Sequence, residues 1–233
     1  MSHYLIGFFK DLLLVVAALV PIINPMGQMP IFLSLTQDIP DEDRKILAQK
    51  IATYGFFLLL ISMMIGTYVL KFFGISIAAV QIGGGLLVCA SGWTLLNTND
   101  SQKTLSTNQQ QAAENPEAQR AAYSRRAFYP LTFPLSVGPG SVSVAITLGA
   151  NMRSDEGTME AIMLLSSFLA LIIVAAITYI CYRFAKDLIS KLGDIGTIVI
   201  LRMSAFILLC LGVQIISNGL IELIPHMLGH ATV

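Results

Sequence analysis

The sequence predicts an all-α integral membrane protein of six transmembrane helices, arranged as two inverted three-helix repeats. Three observations carry that prediction: long uncharged apolar runs, two proline–glycine interruptions placed alike in the two halves, and a one-sided distribution of lysine and arginine. The 233-residue chain is 55% hydrophobic and 12% charged, with mean hydropathy +0.73. A soluble domain carries about 25% charged residues. Basic and acidic residues balance at 14 each, so no cationic excess points to a nucleic-acid partner.

A bilayer-spanning helix needs about 20 mostly apolar residues. Residues 51–70, 72–96 and 161–182 contain no charge, and 195–221 contains Arg202 alone. These four runs read as plain spans. Stretches 12–37 and 127–149 are also uncharged and long enough, but proline and glycine interrupt them. They are the first and fourth helices, each broken at its motif. The apolar core Leu12–Val20 behind Lys10 has the outline of a signal peptide, but no A-x-A-like site follows, and the repeat needs this segment. The chain divides into a first repeat (1–97), a polar linker (98–126), a second repeat (127–225) and a tail (226–233). The linker is rich in Gln, Asn, Ser and Thr and reads as a flexible cytoplasmic connection.

The repeat rests on the order of features. An offset of 114 places Pro25 on Pro139 and Asp41-Glu42 on Asp155-Glu156. An offset of 119 places GISIAAVQIGGG (74–85) on GDIGTIVILRMS (193–204). Each half thus reads as broken span, acidic turn, plain span, then a Gly-rich or Arg-bearing span. Three is odd, so the second repeat enters from the opposite side, as in many secondary transporters. The connections after the first, third and fifth helices hold ten Lys/Arg (Arg44 to Lys191), against Lys10, Lys71 and Arg153 on the other side. Cytoplasmic loops carry the cationic excess, so both termini are expected outside, the periplasm for a bacterial inner-membrane protein. Tyr4, Phe8, Phe9, Trp93, Tyr123, Phe128 and Tyr129 lie near span ends, where aromatic belts form.

The interruptions PIINPMGQMP (21–30) and FPLSVGPGSV (133–142) are the candidate site. Proline removes a helix hydrogen bond, and in hydrocarbon the freed backbone groups need partners in protein or in a watered cavity. Each break is expected to leave a half-helix N-terminus, near Gly27 and Gly140, pointing inward at mid-membrane depth. Such an N-terminus suits a carboxylate, and free carbonyls opposite it suit Na⁺. The candidate binding residues are Asn24, Pro25, Gly27, Gln28, Ser136, Gly138, Pro139, Gly140 and Ser141, with Ser143 nearby. A structural kink that binds nothing is the plainer alternative.

Arg202 is the one charge well inside a plain span, and no Asp, Glu or His lies in a span interior to pair with it. It either organises the negative end of the site or snorkels to the headgroups. On the third helix, Gln81, Gly83, Gly84, Gly85 and Gly92 favour close packing over ligand contact, and they allow a homodimer. Cys89, Cys181 and Cys210 lie in apolar runs and read as packed small hydrophobes. His226 and His230 read as an exposed tail, not as metal ligands. No nucleophile sits with a base, and there is no phosphate-binding loop, so neither an enzyme nor ATP-driven transport is expected.

The motifs NPMGQMPIF (24–32) and FPLSVGPGSVSVAITL (133–148), with AVQIGGGLLV (79–88) and IVILRMSAFILLCLGVQIISNGL (198–220), resemble the MarC family of integral membrane proteins across essentially the whole chain. That family is grouped with the lysine-exporter-like transporters. The resemblance implies an inner-membrane location and transport of small neutral amino acids such as glycine or alanine. The expected function is therefore secondary transport of a small neutral amino acid or similar zwitterion, with no resident cofactor; Na⁺ coupling or facilitated exchange fits better than proton coupling, because no span interior holds a carboxylate. A non-transporting scaffold or stress-associated subunit is the alternative.

Overall fold

The computed structural model describes residues 2–97, 123–152 and 157–229. Among them every regular element is helical. The chain runs through α1 (Ser2–Ile23), α2 (Pro25–Leu35), α3 (Asp41–Phe72) and α4 (Ile77–Asn97). After the linker come an irregular helical segment, Ala127–Ser136, then α5 (Pro139–Asn151), α6 (Gly157–Arg183) and α7 (Ala185–Gly229).

Five stretches are long and apolar enough to cross a bilayer: Leu5–Leu35, Asp41–Phe72, Ile77–Asn97, Ala161–Arg183 and Ile195–Leu223. A sixth exists if Tyr123–Ser136 and Pro139–Asn151 count as one bent span. The two breaks differ in kind. At the first, the ladder crosses Asn24 almost intact: its N–H reaches the Val20 carbonyl at 2.9 Å, and the Gln28 N–H reaches the Asn24 carbonyl at 3.1 Å. Leu5–Leu35 therefore forms one candidate span without a sharp bend. At the second, the axis turns by 71°. Two half-helices splayed alike was the expectation, and only the second motif bends so far. The turn falls between Ser136 and Pro139, where Val137 (φ −116°, ψ 87°) and Gly138 (φ −85°, ψ 176°) leave the helical region. Gly138 precedes a proline, whose ring disfavours helical geometry in the residue before it, as Tyr129 and Phe133 do within the segment ahead of the turn. The first motif has Asn24 before Pro25, and an asparagine tolerates a single left-handed residue inside an otherwise helical run.

Three turns meet at one end. Arg126 Nη1 lies 2.6 Å from Asp38 Oδ2, and Lys186 Nζ lies 2.7 Å from Asp41 Oδ2. Lys50 Nζ donates to Ser124 Oγ at 2.5 Å. The turn after α2, the entry to the second half and the turn after α6 thus share the cation-bearing end, as the charge distribution predicts. Tyr123–Arg126, expected to be linker, are already helical. The rest of the linker and His230 lie outside the described residues, as does the side chain of His226, while α7 continues to Gly229.

Helix pairing follows small residues. The α4–α7 pair is the most extensive. A Cβ at Gly85 would lie 2.8 Å from the Gly212 carbonyl oxygen, and one at Gly92 would lie 2.9 Å from the Ala205 oxygen. Reciprocally, a Cβ at Gly212 would meet the Gly85 oxygen at 2.8 Å, and one at Gly219 the Ala78 oxygen at 2.9 Å. Side-chain-free ridges let helix backbones touch. The packing reading of Gly84, Gly85 and Gly92 fits this arrangement, whereas Gly83 faces open space. Elsewhere α1 packs on α6, α3 on both α5 and α6, α2 on α7, and α5 on α4. Two apolar clusters result. One contains Leu19, Ile23, Leu59, Val137 and Val174. The other, toward the cation-bearing end, contains Met29, Phe32, Leu47, Ile51, Leu131 and Tyr182.

Candidate functional site

The site grows out of how each break satisfies its backbone. Asn24 adopts φ 48°, ψ 54°, and its Oδ1 accepts from the Gly27 N–H at 3.1 Å. That N–H would otherwise serve the Ile23 carbonyl. The Gln28 side chain takes its place, with Nε2 donating to the Ile23 oxygen at 2.8 Å. At the second break, side-chain hydroxyls serve the carbonyls. Thr132 Oγ1 donates to the Ala127 oxygen at 2.6 Å, and Ser136 Oγ to the Leu131 oxygen at 2.9 Å. Both bonds reach back five residues in a stretch where Pro130 and Pro134 supply no N–H. Paired backbone is what hydrocarbon demands.

One donor is left over. Asn24 is 7% exposed, and its Nδ2 has no hydrogen-bond partner. The amide folds over Gly27, where an added Cβ would also lie 2.8 Å from Ser204 Cβ on α7. A buried polar group without a partner costs about 1–3 kcal/mol, so this N–H is poised to donate to a ligand oxygen.

The two motifs communicate through a residue that sequence reasoning missed. The Tyr182 hydroxyl donates to Gln28 Oε1 at 2.9 Å and lies 2.7 Å from Ser136 Oγ. Its ring stacks on Phe32 with centroids 4.6 Å apart and planes 7° apart. Tyr182 is 1% exposed. In the sequence it stands beside Arg183 at the end of a span, a position that looks like any interfacial aromatic and gives no signal of burial.

Between the two apolar clusters lies a narrow cleft with a cavity of about 10 Å³, room for about one water. Ile23, Ile51, Gly55, Leu59, Val137 and Val174 form much of its wall, and Ser136 and Thr178 are its polar side chains. The Thr178 hydroxyl bonds to the Val174 carbonyl at 2.9 Å. No charged residue lines the cleft.

The predicted site residues therefore fall into three places. Gln28 and Ser136 are brought together by Tyr182. Asn24, Pro25 and Gly27 are buried, with Gly27 against α7. Gly138 caps α5, Pro139 is exposed, and Gly140, Ser141 and Ser143 are buried. Gly140 abuts Val88, and Ser143 abuts Gly84, both on α4. Arg202 is not brought to the cleft. It is exposed, and it stands two residues from Ser204, which faces Gly27. Two residues correspond to about 200° around a helix, so Arg202 points away from α2. Among the described residues it has no bonded partner, which favours the snorkelling role. No group of three or more metal-binding side chains occurs among the described residues.

A family model described as the MarC family integral membrane protein matches residues 9–224. The chain belongs to the MarC family. It is similar to a UPF0056 membrane protein of Methanocaldococcus jannaschii, at 32% identity over 210 residues, covering 89% of this chain and 95% of the relative. It is also similar to the UPF0056 inner membrane protein MarC of Salmonella typhimurium, at 28% identity over 227 residues, covering 94% and 98%. The MarC protein of Escherichia coli matches to the same extent, at 28% over 227 residues. No solved structure matches. Family membership makes this an integral membrane protein, as the apolar helices require.

Proposed function

We propose that this chain is a secondary transporter of small neutral amino acids or similar small zwitterions across a bacterial inner membrane. The observation that carries the reading is the meeting of the two break segments at an uncharged, mostly apolar cavity of about 10 Å³, walled by Ile23 from the first and by Ser136 and Val137 from the second. A cavity of that size holds about one water, so a solute would be admitted only as the bundle opens. Its walls are apolar apart from two hydroxyls, which suits a ligand without net charge. The unpartnered Asn24 amide at the start of α2, outside the cleft wall but next in the chain to its residue Ile23, suits a carboxylate that reaches past that wall.

Two further features support the transporter reading. The relatives named inner membrane protein MarC place their own chains in that membrane. The pairing pattern is nearly unchanged when the halves are exchanged. The α1–α6 contact corresponds to that of the 127–136 segment with α3, and α2–α7 corresponds to α5–α4. This is what an inverted repeat would produce, and alternating access would rock one repeat against the other. The cation-bearing end is read as cytoplasmic, with both termini in the periplasm.

Counterflow of labelled glycine and L-alanine into proteoliposomes preloaded with unlabelled amino acid tests this function, with and without Na⁺. Accumulation above protein-free liposomes is expected. No counterflow by folded protein overturns the assignment for these substrates and shifts weight to the scaffold reading. Na⁺ dependence decides whether the break carbonyls hold an ion.

A further inference from the structure

We propose that the Tyr182 hydroxyl is a latch that closes the cleft from the cation-bearing end by fastening α2 to the second break. Chain order sets its place. On α6, the cleft residues Val174 and Thr178 come eight and four residues before Tyr182, whose neighbour Arg183 ends the helix. On α2, Gln28 lies between Ile23, which lines the cleft, and the turn at Thr36–Pro40 that carries Asp38. On α3, the cleft begins at Ile51, just past Lys50. The latch atoms Gln28 Oε1 and Tyr182 Oη thus stand between the cleft and the shared charged end, and Phe32, Leu47 and Leu131 pack around them.

The latch is built to release. Three contacts, Tyr182 to Gln28, Tyr182 to Ser136 and Ser136 to Leu131, draw on two hydroxyl protons, so one of them always lacks a hydrogen. Ser136 also lines the cleft. A ligand ammonium bonding there would satisfy the oxygens on its own, and Tyr182 would then be free to separate from the second break. This role gains its purpose from the transport reading, but it is testable without transport.

The reporter is Thr178→Cys in a background carrying Cys89→Ala, Cys181→Ala and Cys210→Ala. Sided proteoliposomes are treated with a membrane-impermeant maleimide. Asp38→Cys in the same background marks the cation-bearing side. Labelling of the reporter from that side should be slow, and adding Tyr182→Phe should accelerate it on the order of tenfold, as losing one or two buried hydrogen bonds implies. The phenyl ring keeps the stack on Phe32. An unchanged rate in folded Tyr182→Phe protein, or acceleration from the opposite side only, overturns the latch. If Tyr182→Phe does not fold, Ser136→Ala must give the same acceleration, and an unchanged rate there overturns it equally. A working latch without counterflow would sink the transporter reading and leave the latch standing. Counterflow with an unaltered labelling rate would do the reverse.

Discussion

Asn24 combines two demands that substitution can separate. Its backbone is left-handed at φ 48°, and its side chain caps Gly27 while holding a spare buried N–H. Asn24→Gly keeps the conformation, because glycine enters that region without a Cβ penalty, but deletes the amide. Asn24→Ala keeps a Cβ in the left-handed region but loses the local side-chain hydrogen bond that lets asparagine tolerate it, a conformation that costs an L-residue roughly 1–2 kcal/mol. Losing the cap costs about 1 kcal/mol with alanine and about a few tenths with glycine. Asn24→Ala should therefore be less stable by ~2–3 kcal/mol and Asn24→Gly by less than ~1 kcal/mol. A gap of about 2 kcal/mol corresponds to a factor of about 30 in the unfolding constant. Equilibrium unfolding in mixed micelles, titrated with an ionic detergent, measures it. Counterflow of glycine supplies the second axis, since both variants should lose transport if the amide meets the carboxylate. If Asn24→Gly is as unstable as Asn24→Ala, the left-handed residue is not what the position requires. If Asn24→Gly transports normally, the amide is no ligand contact.

Other substitutions probe the packing and the orientation. A Cβ at Gly149 would overlap the Met63 carbonyl oxygen and lie 2.8 Å from its carbon, so Gly149→Ala should cost about 3 kcal/mol, at the upper end for overpacking; unfolding at parental stability would show that α3 and α5 can part freely. Gly85→Ala should destabilise by about 2 kcal/mol because the Gly212 backbone is in the way. Gly83→Ala, facing open space, should be neutral or gain up to ~1 kcal/mol, and equal effects at the two positions would contradict the assigned helix face. Asp38→Cys should label with impermeant maleimide from the cytoplasmic side of whole-cell membrane vesicles, and labelling from the periplasmic side would reverse the topology.

Much of the architecture was legible because hydrocarbon imposes strong rules. Uncharged runs marked α3, α4, α6 and α7, and the positions of Arg126, Lys186 and Asp41 foretold that their turns share one end. Paired proline motifs marked where the two halves would be irregular. What could not be read was how irregular each would be. That depends on whether a proline follows an asparagine able to turn left-handed, as at Asn24, or an extended residue, as Pro139 follows Gly138 where the axis turns. The site was legible by half for a similar reason. Gln28 and Ser136 carry polar groups in apolar surroundings and stand out in sequence. Tyr182 and Thr178 do not, since tyrosine at a span end and threonine within a span are ordinary there. Arg202 stood out most and is exposed, outside the cleft lining, because a residue's face on its helix follows from the partner helix, which periodicity alone did not reveal.

The glycine ridges of α4 and α7 bear on how the molecule could move. Gly85 and Gly92 on one helix and Gly212 and Gly219 on the other bring main chain against main chain. Where backbone meets backbone there are no rotamers to rearrange, and Ile216, Cys89 and Ile82 fill the space beside those contacts, so the two helices travel as a single strut. The break segments touch that strut at Gly27, facing Ser204, and at Gly140, facing Val88. Any motion that opens the cleft must then slide or tilt the rest of the bundle along the strut, with those two glycines as bearings, one on each of its helices.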